Sequence, residues 1–367
     1  MKNLFRLLLF SVCSIGISSC DDSDAEEIEE NVVYDYYNIL ESTVTSVIVP
    51  TYKDLYDAAT DLHEAVEAMA ADTSDDNLDA ARDAWKAARV PWEQSEAFLF
   101  GPVADQGLDP ALDSWPVDYV QLDQVLASGL DLTADTITEN LGGGLKGFHT
   151  IEYLLWGDNT KVAADFGDDP REIEYLVAVT ESLMNDAETL YKAWESGSED
   201  DGYEGFGESF YLAGQDGGRY FSQTDAVQQL INGMTDICDE VANGKIGDPY
   251  KEKDVSLVES QFSYNSIQDF TDNIRSVQNI YLGTYGENGS AGLTDFVSEQ
   301  DNGLDEQVKQ EIAAAITAIE NITDVAEMPF RDAVTDADKA DEIEAAQAAI
   351  QTVMDTLAGD VMALLFD

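Results

Sequence analysis

The chain has 367 residues, with 75 Asp and Glu against 18 Lys and Arg and a formal charge of −57. A chain this acidic cannot neutralise nucleic-acid phosphates over a broad face, and it has no basic patch for anionic lipid. Yet 44% of its residues are hydrophobic and 10% aromatic, too apolar for disorder driven by charge, and its length can bury one large core or two smaller ones.

The first nineteen residues read as a secretion signal. Lys2 and Arg6 supply a basic start, and the apolar run from Leu7 to Ile17 is too short to span a bilayer as a mature helix. It ends at Ile17-Ser18-Ser19-Cys20, which resembles a bacterial lipobox, where the cysteine is lipidated and becomes the first residue. The expectation is a cell-envelope protein anchored to the outer membrane through Cys20, facing either the periplasm or the cell surface. Residues 20–32 form an acidic tether (DDSDAEEIEE from Asp21), similar to the surface-export signal of some lipoproteins. Cys13 leaves with the signal, so Cys238 has no partner for an intrachain disulfide.

From about Tyr52 the period is helical. Tyr52, Leu55, Tyr56, Ala59, Leu62, His63, Val66 and Met69 form one apolar stripe at three-and-four spacing. A turn at 72–77, with Asp76 or Asn77 as cap, precedes a helix from Leu78 to about Phe100 that stops at Gly101-Pro102. Residues 105–116 read as a loop, and a short helix follows near 117–126. Gly142-Gly143-Gly144 precedes a helix containing Phe148 to Leu155, and an amphipathic helix covers about 173–194. Gly197 to Gly218 reads as a long loop or hairpin-like excursion; further helices are expected at 225–242, 266–282, 305–325 and 341–365. Strand-like alternation is scarce, which predicts an all-α protein. An echo at an offset of 238 pairs Pro91-Trp92 with Pro329-Phe330, suggesting two halves that each carry a long helix interrupted by proline. The boundary falls between domains at 33–224 and 225–367.

The sharpest local feature is Gly147-Phe148-His149-Thr150-Ile151-Glu152. Spacing of three puts His149 and Glu152 on one helical face, where imidazole and carboxylate suit Zn, Fe or Mn, or a base held by its partner. By spacing alone a surface or core hydrogen-bonded pair is the better reading, and it is the context that favours a site. Flanking Phe148, Ile151, Leu154, Leu155 and Trp156 predict a buried helix, in which a charge needs partners. Arg89, Glu93 and Glu96 recur at intervals of four and three beside Trp85 and Trp92 and offer such partners. With only His63 and His149 in the chain, a three-histidine metal site is impossible; His63-Glu64-Ala65-Val66-Glu67 lacks the second histidine of a zincin, and His63 lies in the apolar stripe. Nucleotide-binding loops, a Gly-x-Ser-x-Gly elbow and an EF-hand loop are all missing from the sequence.

These residues together resemble the imelysin family of bacterial envelope proteins, often found with iron-uptake systems. Its Gly-x-His-x-x-Glu hallmark is met by Gly147, His149 and Glu152, followed by Leu154-Leu155-Trp156-Gly157. Arg89-Val90-Pro91-Trp92 through Gly101, Asp113-Ser114-Trp115-Pro116, Phe262-Ser263-Tyr264-Asn265-Ser266 and the stretch from Asn273 to Gly283 are also similar to the family. The resemblance implies two helical bundle-like domains, related by duplication, with a pocket at their junction. It implies metal ligation by His149, Glu152, Glu93 and Glu96, and ligand contacts from Arg89, Trp85, Trp92, Asp113, Trp115, Ser263 and Asn265. Two functions compete. One is a binding protein in iron uptake, holding iron, zinc or a metal-bearing ligand and working with iron-transport components. The other is a metallopeptidase using His149 and Glu152. Hydrolysis is disfavoured, because position 153 is Tyr where an inverted zinc motif needs His, and no second motif histidine exists.

Overall fold

The computed structural model describes residues 34–167, 170–196 and 205–366. The signal segment 1–19, Cys20, the tether to residue 32 and the 197–204 part of the Gly-rich excursion lie outside them. Eight helices of ten or more residues are described: α1 (Val49–Ala71), α2 (Asp75–Glu93), α3 (Gly147–Trp156), α4 (Pro170–Glu195), α5 (Gln223–Asp239), α6 (Ser266–Leu282), α7 (Asn302–Glu320) and α8 (Ala340–Thr356). Strand among the described residues is one hairpin, Thr284–Tyr285 against Asn288–Gly289. The protein is all-α.

Apolar periodicity sets the packing. The stripe of α1 is buried at Leu55, Ala59, Leu62, Val66 and Met69, and α1 lies against α2 and α4. Its rod begins earlier than the stripe suggests, because Tyr37–Ser42 and a π turn at Thr43–Ile48 continue into α1 with helical backbone. Pro50 falls inside this continuous rod, where it removes one backbone donor, and the π turn lies just before it. The second group consists of α5, α6, α7 and α8, with α7 packed on both α6 and α8. The two groups share contacts where α6 meets α2 and where the turn after α2 meets α5. From Asp35 onward the contacts form one unit, and the boundary expected at 224/225 falls within the first turn of α5, after its N-cap Ser222.

Several boundaries move for local reasons. Ser74 rather than Asp76 or Asn77 caps α2: its side chain accepts from the Asn77 N–H, and Asp75 and Asp76 occupy the first turn, where the helix dipole favours acids. Pro91 lies inside α2 without ending it, and the ladder continues to the Gln94 N–H on the Val90 carbonyl. The Ser95 N–H then turns to the Trp92 carbonyl and the chain tightens into a 3₁₀ turn at Glu96–Phe98, so α2 ends at Glu93 instead of Phe100. The expected loop at 105–116 contains a short helix, Asp109–Leu112, with a proline in its first turn. The described end of the Gly-rich excursion holds another, Phe206–Tyr211. The second half of the proline echo is not a kinked long helix. There, α7 ends at Glu320, and Pro329 in extended conformation caps the four-residue helix Phe330–Ala333.

Among the described residues no helix is long and apolar enough to cross a membrane. Cys238 is buried on α5, and burial pushes its thiol up to about 12. Asp186 on α4 is also buried, with Oδ2 lacking a hydrogen-bond partner; burial raises its carboxyl to about 6, against the pull of Lys146. The unfolded carboxyl titrates near 4, so the ionised form costs stability that appears as pH rises from about 4 to 6 and is constant above. Asp186→Asn is expected to raise stability by roughly 1–3 kcal/mol at pH 7. That gain should fade as pH falls toward 4, read from denaturant midpoints; a gain independent of pH would point to packing instead.

Candidate cation site

The site is built around the first turn of α3. Gly147 adopts φ +75°, and a Cβ there would meet the Leu112 carbonyl oxygen at 2.2 Å, so only glycine lets the 109–112 turn press against the helix start. That approach carries Asp113 to His149. His149 Nε2 lies 3.1 Å from Asp113 Oδ1 and 3.6 Å from Glu259 Oε1, and Nδ1 lies 3.3 Å from Glu152 Oε2. Trp115 packs edge-on against the imidazole at 4.9 Å between ring centres. Burial opposes charge on His149, but Asp113, Glu152 and Glu259 outweigh it and raise its pKa well above the ordinary value. Nδ1 shares a hydrogen bond with Glu152, whereas Nε2 faces Asp113 and Glu259 at ion-pair distance without a well-formed hydrogen bond.

Glu152 spends its other oxygen on the chain beyond α5. Oε1 accepts from the Phe262 N–H (3.0 Å), the Ser263 N–H (2.8 Å) and the Ser263 hydroxyl (2.7 Å). Three donors on one carboxylate oxygen fix the 259–265 turn, and with it Glu259, against α3.

Arg89 stands at the centre. Its side chain has no solvent exposure and faces four carboxylates: Asp113 and Glu93 at very close range, Glu259 at 2.9 Å and Asp269 at 3.4 Å. Trp85 and Phe148 lie over its guanidinium carbon at 5.7 and 5.1 Å, the arrangement a planar delocalised cation favours. Trp92 Nε1 donates to the second Asp113 oxygen at 2.8 Å. Asn273 donates to Glu93, and Asn265 to Asp269 at 2.7 Å.

Lys245 supplies the remaining cation, 3.3 Å from Glu259, 3.6 Å from Glu93, 3.8 Å from Glu96 and 3.9 Å from Glu240. Six largely buried carboxylates, Glu93, Glu96, Asp113, Glu152, Glu259 and Asp269, therefore share three cationic groups. The shortfall shows in their protonation. Burial raises Glu93 and Glu96 well above the carboxylate range despite Arg89 and Lys245, and raises Asp269 to about 6. For Asp113 and Glu259 the cations prevail over burial, and Glu259 is held at about 2.

A cavity of about 500 Å³ opens beside this cluster, its walls including Glu96, Asp109, Asp113, Trp115, Glu240, Lys245 and Glu259. A smaller one of about 160 Å³ shares Glu96, Leu99 and Glu240 with it and adds Asp236. Two groups of donor atoms lie within 4.8 Å of one another, Asp113–His149–Glu259 and Glu93–Glu96–Asp113. The second is all oxygen and suits a hard cation. In the first, His149 ligates only as the neutral imidazole, against the pull of the surrounding carboxylates. Glu259 Oε2 and Glu93 Oε1 are buried and held by ion pairs alone, to Lys245 and Arg89, without a well-formed hydrogen bond, so an acidic set of this kind fits a cation.

Every residue singled out from the sequence in this region lies in or beside the cluster, with altered roles. Glu152 belongs to neither donor group and binds the 259–265 turn. Glu96 shares the acidic wall from the 3₁₀ turn after α2, not from the helix face itself. Trp85 donates to the Phe148 carbonyl at 2.9 Å. His63 lies apart, 3.1 Å from Thr180 between α1 and α4. Sequence reasoning missed Lys245, Glu240, Glu259, Asp269 and Asn273. One signal was available: Asn265 and Asp269 stand one helical turn apart at the start of α6.

The imelysin (peptidase M75) family model matches residues 48–357. Iron-regulated protein A of Synechococcus elongatus is 30% identical over 327 residues, covering 89% of this chain and 86% of that protein. A crystal structure described as an iron-regulated protein A precursor from Parabacteroides distasonis aligns with a TM-score of 0.80 at 32% identity, covering 90% of this chain and 95% of that one. An imelysin-like protein from Psychrobacter arcticum, 14% identical, shares the fold with a TM-score of 0.64 over 90% of this chain and 94% of its own.

Two substitutions test the construction of this site. Glu152→Ala leaves His149 and the 259–265 turn without their acceptor and should cost about 3–5 kcal/mol of stability, read from denaturant midpoints. Gly147→Ala should cost at least about 1–2 kcal/mol through φ alone, with the carbonyl clash in addition. A Gly147→Ala protein of undiminished stability would show that the 109–112 turn can move away from α3.

Proposed function

The chain belongs to the imelysin family, and from that premise we propose that it is a binding protein of iron acquisition whose acidic cavity holds a cation or a cation-bearing ligand. The observation that carries this reading is the imbalance of charge: buried carboxylates exceed the cations that face them, and the excess borders an accessible cavity. Glu96, Asp113 and Glu259 reach a bound cation from the cavity side, with Glu93 behind them. An all-carboxylate set favours a hard cation such as ferric iron over zinc, which recruits imidazole and thiolate. The names of the similar iron-regulated proteins support an iron-related role. The lipobox-like ending at Cys20 supports a lipid anchor in the outer membrane, with envelope iron-transport components as partners.

Peptidase chemistry is the weaker reading. A general base needs an oxygen free to take a proton from water. One Glu152 oxygen already receives three donors and the other lies 3.3 Å from His149 Nδ1.

Titration of the chain with ferric citrate tests the proposal. The wild type should bind saturably, and Glu96→Gln combined with Asp113→Asn should weaken binding at least tenfold, a change of about 1.4 kcal/mol. Equal affinity in both proteins removes the cavity as the site. Chelator-sensitive cleavage of an unfolded protein that disappears in Glu152→Ala would favour the peptidase instead.

A further inference from the structure

Lys245 ends a π turn, Glu240–Lys245, that follows α5. Its ammonium stands among Glu259, Glu93, Glu96 and Glu240 at 3.3–3.9 Å, yet a charge-assisted N–H···O bond settles at about 2.7–2.9 Å. The ammonium makes one long hydrogen bond, to Glu259 Oε1 at 3.4 Å, and otherwise stands among the oxygens at ion-pair distance. This is the position of an ion in a cage, occupied by a side chain. A metal ion draws oxygens to about 2.0–2.6 Å, so the same carboxylates would close on it more tightly than they close on Lys245.

The surroundings let the side chain leave. Lys245 lines the cavity of about 500 Å³, so its flexible four-carbon stem has room to swing. A Cβ added at Gly244, on the same wall, would meet nothing nearer than Glu240 Cγ at 3.9 Å, which leaves slack at the hinge. Asp248 also lines the cavity and offers a carboxylate to a displaced ammonium. Glu259 Oε2, on the cavity wall, is buried and faces the Lys245 ammonium at 3.3 Å without a well-formed hydrogen bond, so a cation that approaches more closely would satisfy it better.

We propose that Lys245 is the resident counter-cation of the acidic site, a tethered plug that an incoming metal cation displaces into the cavity. The inference rests on the reading of the cavity as a cation site. It adds a regulatory element: the site is not bare between loads, and ligand affinity is set by competition with a covalently attached ammonium.

The test has two readouts on the full chain, with ferric citrate as ligand and citrate alone as control. In the wild type, acylation of Lys245 by an amine-directed ester, followed by peptide mass spectrometry, should accelerate at least tenfold on iron loading and stay unchanged with citrate alone. Lys245→Met, which removes the charge and keeps the bulk, should bind ferric citrate at least tenfold more tightly. If iron binds the wild type while Lys245 acylation is unchanged or slowed, the lysine stays in the cage and the plug is refuted, although the cation site stands. If ferric citrate binds neither the wild type nor Lys245→Met, the cation site fails and the plug with it.

Discussion

One buried guanidinium organises the molecule. Arg89 reaches from α2 to Glu93 on its own helix, to Asp113 on the turn beneath α3, and to Glu259 and Asp269 beyond α5. Segments far apart in sequence thus converge on one side chain, and the two groups of helices meet there. A cation with no solvent exposure is expensive in isolation and tolerable only when its donors are matched by fixed acceptors. The protein meets that condition by over-supplying carboxylates, and the over-supply becomes the chemistry of the neighbouring cavity. Structural and functional charge cannot be separated here. An apolar replacement of the cluster could preserve stability, yet it would remove the acidic wall.

The hallmark pair takes its meaning from the same constraint. His149 and Glu152 resemble metal ligands by spacing, but in place they join a turn to a helix. Glu152 binds the backbone of the 262–263 turn, and His149 bridges to Asp113 and Glu259. The motif thereby places the cavity carboxylates and holds their distances.

How much of this could be read from the chain follows from the range of each interaction. Helical periodicity is local, so the stripes of α1 and α4 and the limits of α6 are visible in the sequence. The end of α2 is harder to read, because the ladder passes Pro91 and gives way to i→i−3 bonding at Ser95, a change no residue type there announces. The cluster is half visible. Arg89, Glu93, Asp113, His149 and Ser263 lie in segments of recognisable composition. Lys245 and Glu259 lie in ordinary polar loops, and their importance exists only once the second group of helices closes over α2. Among the described residues only a few acids are buried, and a count of charge does not distinguish them from exposed ones, which salt screens beyond about 8 Å.

The π turn after α5 sets a constraint of a different kind. A π turn holds one more residue than an α turn, and here that extra residue phases the end of the helix so that Glu240 and Lys245 face the same cavity. An α-helix advances about 100° per residue. Deleting one residue between 240 and 245 would rotate Lys245 by about that angle away from its carboxylates while leaving every side chain of the site present. Residue identities alone therefore underspecify this site: descendants of the sequence can exchange acids around the cavity, but the spacing of the 240–245 segment must keep its length.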